Sequence, residues 1–206
     1  MKIGEIKKEA LRLMFSAVGD KEIAVVEGDA ELAVYLSAMT GSINRALGDL
    51  EMRRVLPLQR RMIAPDEWEI MGDVYLMTPP PEECPYEAVR LLRTSDGSEL
   101  PLGFEGGVLT TRGLSVGEPC VLIYRPHLRR ISPWENDGEL EGVPNEVAAL
   151  IPYFIKGELF REDDPNEAGE ARNWYEAALE RLGGLVEERS MDAVARVQSV
   201  YAQVAL

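Results

Sequence analysis

Apolar positions recur at helical spacing toward both ends of the chain and alternate over short runs in its middle. Ile3, Ile6, Ala10, Leu13 and Met14 share one side of a helix predicted over 3–17, with Lys7, Lys8 and Arg12 facing out. Leu32, Tyr35, Leu36, Met39, Ile43, Leu47 and Leu50 form a longer seam and predict a helix over 29–54. Gly41 and Gly48 lie inside it, each less favourable than alanine by about 1 kcal/mol. Either a neighbouring helix comes close there or the helix hinges. Arg53, Arg54, Arg60 and Arg61 follow, to complement the helix C-terminus or to meet an acidic partner.

The period shortens from Ile63 to about Arg130, where Gly, Pro and Asp split the chain into strands. Candidate strands are 68–70, 74–77, 87–94, 100–104, 108–111 and 120–125, with turns at Gly72-Asp73, Asp96-Gly97 and Gly106-Gly107. The run 120–125 is the most apolar and is expected at the centre of a sheet. Residues 126–142 are irregular and lead back to helix.

Two helices joined by an acidic turn then span 143–189. Pro144 suits a first turn, and Val147, Leu150, Ile151 and Phe154 share a face. Asp164-Pro165-Asn166-Glu167 is a strong start, with Asp164 as cap and Glu167 able to reach back. Ala168, Ala171, Tyr175, Ala178 and Leu182 make the next stripe, and Gly183-Gly184 is its stop. The predicted fold class is α+β. Helices before residue 57 pack on helices after residue 144, around an inserted antiparallel β-module. Residues 1–62 and 143–189 form the bundle, 63–142 a sheet or sandwich, and 190–206 a C-terminal arm. Along that arm Met191, Val194, Val197, Tyr201 and Val204 fit a helix, while Val194, Val197, Val200 and Val204 suit an extended segment. The arm needs a cover, on its own core or on another chain. The candidate interface is therefore Met191, Val194, Val197, Val200, Tyr201 and Val204, because buried apolar and aromatic groups dominate interface energetics.

The chain of 206 residues carries a net charge of −14, unevenly spread. Residues 1–62 hold ten basic and nine acidic groups, residues 63–142 six and fifteen, and residues 143–206 six and twelve. Such acidity disfavours binding to a nucleic-acid backbone, though it suits a surface that DNA must pass without adhering. No run of about 18 apolar residues predicts a membrane span. The N-terminal segment lacks the apolar core of a secretion signal. Cys84 and Cys120 are read as reduced thiols rather than a pair.

Candidate chemistry is sparse. His127 is the sole histidine and no CxxC occurs, so neither a zinc site nor a histidine-dependent triad is expected. No phosphate-cradling glycine motif or calcium-loop spacing is present. The pairs Glu82-Glu83, Asp163-Asp164 and Glu187-Glu188 fall in turns or at helix ends, where carboxylates are solvated or cap. Trp174-Tyr175 reads as core and rim of the helix rather than as a ligand box. No catalytic residue, cofactor or metal is expected.

Three stretches carry a resemblance: MKIGEIKKEALRLMF at the start, GSINRALGDLEMRRVLP at 41–57, and EVAALIPYFIKGELFREDDPNEAGEARNWYEAALERL at 146–182. Together they resemble head-to-tail connector, or neck adaptor, virion proteins of tailed bacteriophages. The resemblance implies a helical bundle bearing a β-module and no enzymatic activity. It implies a homo-oligomeric ring, a dodecamer, beneath the portal protein, with tail or nozzle proteins on the other side. DNA would pass through the lumen unbound, and the C-terminal arm would embrace the portal or a neighbour. Assembly would take place in the bacterial host cytoplasm, and the final location would be the virion neck. Two alternatives stand beside it. One is another virion component, tail-completion or capsid-associated. The other is a small-ligand protein or enzyme with a polar pocket near Trp68, Tyr86 or Trp134.

Overall fold

A computed structural model describes residues 1–15, 30–80, 85–133 and 135–182. The chain is α+β, and its described residues divide into two compact units. One is helical and comes from both ends of the sequence, up to Leu56 and again from Leu128. The other runs from Pro57 to His127 and is built of strands. The boundaries fall earlier than the sequence suggested, since 57–62 joins the strands and 128–142 joins the helices.

The helical unit holds helices Ile3–Met14, Ala30–Met52, Asn145–Ala148 and Ile151–Leu159, and one over 165–182. Its core takes Ile3, Ile6 and Leu11 from the first helix and Met39, Ile43, Leu47 and Leu50 from the second. Val147, Ile151, Ile155, Tyr175 and Leu179 complete it. The expected single helix after Pro144 is broken at Ala149-Leu150. Pro152 has no N–H to donate, and its ring would clash with the carbonyl of residue 148, so the helix restarts with Pro152 in its first turn. Asp164 caps the last helix as expected: its Oδ1 accepts from the amides of Asn166 at 3.2 Å and Glu167 at 3.1 Å. Glu167 does not reach back; it pairs with Lys156 instead.

Two further expectations change here. Lys7, read as outward, is 3% exposed, because its Nζ donates to Asn136 Oδ1 at 2.8 Å. Among the described residues no neighbouring helix meets Gly41 or Gly48; the side chains nearest their missing Cβ atoms belong to Arg45 and Arg130, and the helix runs unbroken. Helices come close at Gly157 instead, where a Cβ would lie 3.4 Å from the Ala168 carbonyl.

The β unit is a two-sheet sandwich. One sheet has the order β1-β8-β4-β5, from strands Gln59–Ile63, Cys120–Pro126, Pro85–Arg93 and Glu99–Leu100. The other has the order β2-β3-β7-β6, from Glu69–Met71, Val74–Met77, Val108–Arg112 and Leu102–Glu105. All pairings are antiparallel, and β8 is interior as expected. The predicted strand over 100–104 is really two, split at Pro101, where the chain leaves one sheet for the other. Gly106 and Gly107, with φ of 59° and 81°, make the two-residue turn between β6 and β7 that needs left-handed backbone at both positions. Ile63, Trp68, Tyr75, Met77, Leu91, Leu109, Cys120, Leu122 and Tyr124 fill the space between the sheets.

Candidate functional site

The helical unit is closed by a strap, residues 128–140, whose hooks are polar side chains of the helices. Glu51 is 4% exposed. Its Oε1 accepts from the Leu128 amide at 2.6 Å and its Oε2 from Arg130 Nη2 at 2.7 Å. One helical stretch up, Asn44 makes a reciprocal pair with Ile131: Nδ2 donates to the carbonyl at 3.0 Å and Oδ1 accepts from the amide at 2.9 Å. Thr40 Oγ1 then donates to the Pro133 carbonyl at 3.5 Å. The spacing has a simple cause. From Glu51 to Thr40 the helix rises about 16 Å, and from Leu128 to Pro133 extended chain also covers about 16 Å. Beyond Lys7, the strap satisfies free amides of the first helix: Ile3 donates to Gly138 at 2.9 Å and Gly4 to Asn136 at 2.8 Å.

A second polar group ties the long helix to the last one. The Tyr175 hydroxyl donates to Asp49 Oδ2 at 2.9 Å, and Arg53 bridges Asp49 and Glu176. Burial, then the Asp49 charge, push the Tyr175 phenol well above its ordinary range. Tyr35 donates to Asp163, which pushes its phenol up to about 12. These groups are saturated by one another and serve to fasten helices. Thus Arg53 binds within its own unit, while Arg60 and Arg61 belong to β1 of the other unit.

The surface carries the more distinctive features. In the helical unit Trp174 is 48% exposed and stacks on Tyr153, with ring centroids 3.9 Å apart. In the β unit Met62, Ile70, Met71 and Val116 are each more than half exposed. Strand register places Glu69, Met71, Val74, Leu76, Thr110 and Arg112 on the face of the second sheet that points away from the sandwich core. Gly103 leaves that face notched: a Cβ there would lie 2.3 Å from Thr110 Oγ1. The depression, about 310 Å³, is lined by Val74, Pro101, Leu102, Gly103, Thr110, Thr111 and Arg112. It offers the Thr110 hydroxyl and the Arg112 guanidinium at a mostly apolar wall, the Thr111 hydroxyl being spent on the Pro101 carbonyl at 2.6 Å, which suits a side chain or loop better than a reaction.

Met191, Val194, Val197, Val200, Tyr201 and Val204 all lie outside the described residues, as do Cys84, Trp134 and the Gly183-Gly184 stop. Trp68 is in the sandwich core, 7% exposed, edge-on to Tyr75. Tyr86 is edge-on to His127 at 5.3 Å. Neither lines the depression. Cys120 is a free, buried thiol, pushed up to about 11 by burial. Among the described residues no group of three His, Cys, Asp or Glu side chains is placed to hold a metal. Nor is any helix among them long and apolar enough to cross a membrane.

The chain matches no family model and no curated protein. Sequence reading missed the strap hooks Glu51 and Asn44, because a polar residue inside an apolar seam reads as a solvated face. It missed β1 as well. The segment QRRMI hides its alternation: Arg61 points inward by register but sends its guanidinium out to Glu67 at 2.5 Å.

Proposed function

We propose that this chain is a structural virion protein, a head-to-tail adaptor that rings beneath a portal and joins capsid to tail. The observation that carries the reading is where the resembling stretches meet. Residues 1–15, 41–57 and 146–182 are remote in sequence, yet Ile6, Leu11, Ile43, Leu47, Ile155 and Tyr175 share one core. A bundle closed by polar hooks, bearing a separate sandwich with exposed apolar side chains, suits a part made to be packed against copies and partners. A net charge of −14 suits a ring through which DNA slides. The arm, with Val194, Val197, Val200 and Tyr201 as anchors, would dock on the portal or a neighbour.

Size-exclusion chromatography with light scattering, with and without the portal protein, tests this reading. The expected result is a ring-sized species, alone or on the portal. Deleting residues 190–206 should abolish docking while the circular dichroism of the remainder is kept. A chain that stays monomeric and binds no portal overturns the reading.

A further inference from the structure

The Tyr153–Trp174 stack lies on a face of the helical unit whose carboxylates are uncompensated. Trp174 is 48% exposed, with one side of its ring on Tyr153. Glu146, Ala149 and Tyr153 recur at spacings of three and four residues, and the backbone stays helical through Ala149 and Leu150, so they share one side of their segment. Glu170, Trp174 and Ala177 do the same on the helix over 165–182. Glu146, Ala149, Glu170 and Ala177 are all exposed. Gly157 meets Ala168 and Arg172 while Tyr153 meets Trp174, so the two segments run antiparallel and put Glu170 toward one end of the stack and Glu146 toward the other. Helical side chains lean toward the N-terminus, which carries the indole over the turn that holds Glu170. Other carboxylates of these helices supply the contrast: Glu158, Glu167 and Glu176 pair with Arg45, Lys156 and Arg53. Among the described residues Glu146 and Glu170 have no ion pair, and Trp174 has no cation over its ring.

We infer that this face is a docking site for an arginine side chain presented by a partner protein. An indole face carries negative charge density and attracts a cation. A guanidinium is planar, so it can lie on the indole and turn its edge N–H groups to the Glu170 or Glu146 carboxylate. A lysine ammonium brings the charge without the plane and is more strongly hydrated. An anionic segment would meet two uncompensated carboxylates, and a purely apolar one would strip them of water without pairing them. The net charge of −14 adds a longer-range attraction for a basic segment. The stack is also held in place beforehand. Tyr175, next to Trp174, is buried and bonded to Asp49, and Phe154, next to Tyr153, is edge-on to Tyr175 at 5.2 Å. A preorganised aromatic loses little freedom when a partner arrives. The inference does not rest on the adaptor reading, because this face either takes arginine or does not, whether or not the chain forms a ring.

Titration of the isotopically labelled full-length chain with the blocked peptide Gly-Arg-Gly-Arg-Gly, followed by nuclear magnetic resonance at the Trp174 indole N–H, tests it. Peptides with lysine or uncharged citrulline in place of arginine are the comparison. The arginine peptide should shift the Trp174 resonance saturably and bind about fivefold more tightly than the lysine peptide, while the citrulline peptide leaves the resonance in place. Glu146→Gln combined with Glu170→Gln, both at exposed positions, should weaken the arginine peptide about fivefold and leave the melting curve as in wild type. Trp174→Leu, read at the backbone amides of Glu170 and Ala177, should weaken it to a similar degree. No saturable shift at Trp174, equal binding of the lysine peptide, or undiminished binding by the double variant overturns the inference. So do shifts of equal size at the exposed Glu69 and Glu105 of the β unit, which mark a general attraction to an acidic chain.

Discussion

The two units solve the same problem, burying apolar surface, with opposite chain economies. The β unit is continuous in sequence, from Pro57 to His127, and its hairpins are closed by glycine turns with positive φ. The helical unit is assembled from segments separated by that whole insertion, and it needs Glu51, Asn44 and Lys7 to hold the returning strap in register. Closing a long loop adds only slowly to the entropic cost of folding, and an insertion that is itself folded brings its ends together. Local pairing therefore suffices for the sandwich, while the bundle depends on a few specific polar hooks across the insertion.

The largest effects should come from the cores, and they test whether the units are separate. Ile43→Ala and Leu122→Ala each empty a fully packed site and should cost about 2–5 kcal/mol. If the units are independent, denaturant curves should split: Ile43→Ala lowers the helical transition seen by far-ultraviolet circular dichroism, and Leu122→Ala lowers the one seen by Trp68 fluorescence when Trp134 and Trp174 are replaced by Phe. A single shared transition in both variants would merge them.

Next come the hooks, where the contrast is sharpest. Glu51→Ala leaves the Leu128 amide and Arg130 without their acceptor and should cost about 2–3 kcal/mol. Glu51→Gln keeps an acceptor for the amide and should recover about 1 kcal/mol of that in thermal melts. Asn44→Ala should cost about 1–2 kcal/mol for its two backbone bonds. Exchange of the Ile131 amide should quicken in Asn44→Ala with β8 amides unchanged.

The smallest effect lies in the β unit and depends on pH. Burial raises the Cys120 thiol from 9.0 to about 11, so the folded chain keeps its proton where the unfolded chain has lost it. The stability from this preference is complete below pH 9 and is lost as pH rises toward 11. Cys120→Ala should flatten that part of the stability profile relative to wild type. An unchanged slope would show that the thiol titrates normally when folded.

Much of this architecture was legible in the sequence, and the gaps have physical causes. The seam from Leu36 to Leu50, the Asp164 cap, the glycine turns and the central strand beginning at Cys120 obey local rules that survive without tertiary context. The helix break before Pro152 was equally local, but strong apolar periodicity across it masked the proline. Lys7, Glu51 and Asn44 were beyond reach, since a buried polar group is explained only by a partner distant in sequence. For the candidate site, exposed Met62 and buried Ile123 look alike in a string of alternating residues. Their difference depends on tertiary packing.

The adaptor reading is tested most directly by quantitative mass spectrometry of purified phage particles from a host that carries this chain. The expected result is the protein in the particle at a copy number matching one ring per portal, and its loss from particles when residues 190–206 are deleted. Particles that assemble with tails attached and contain none of the protein would contradict it.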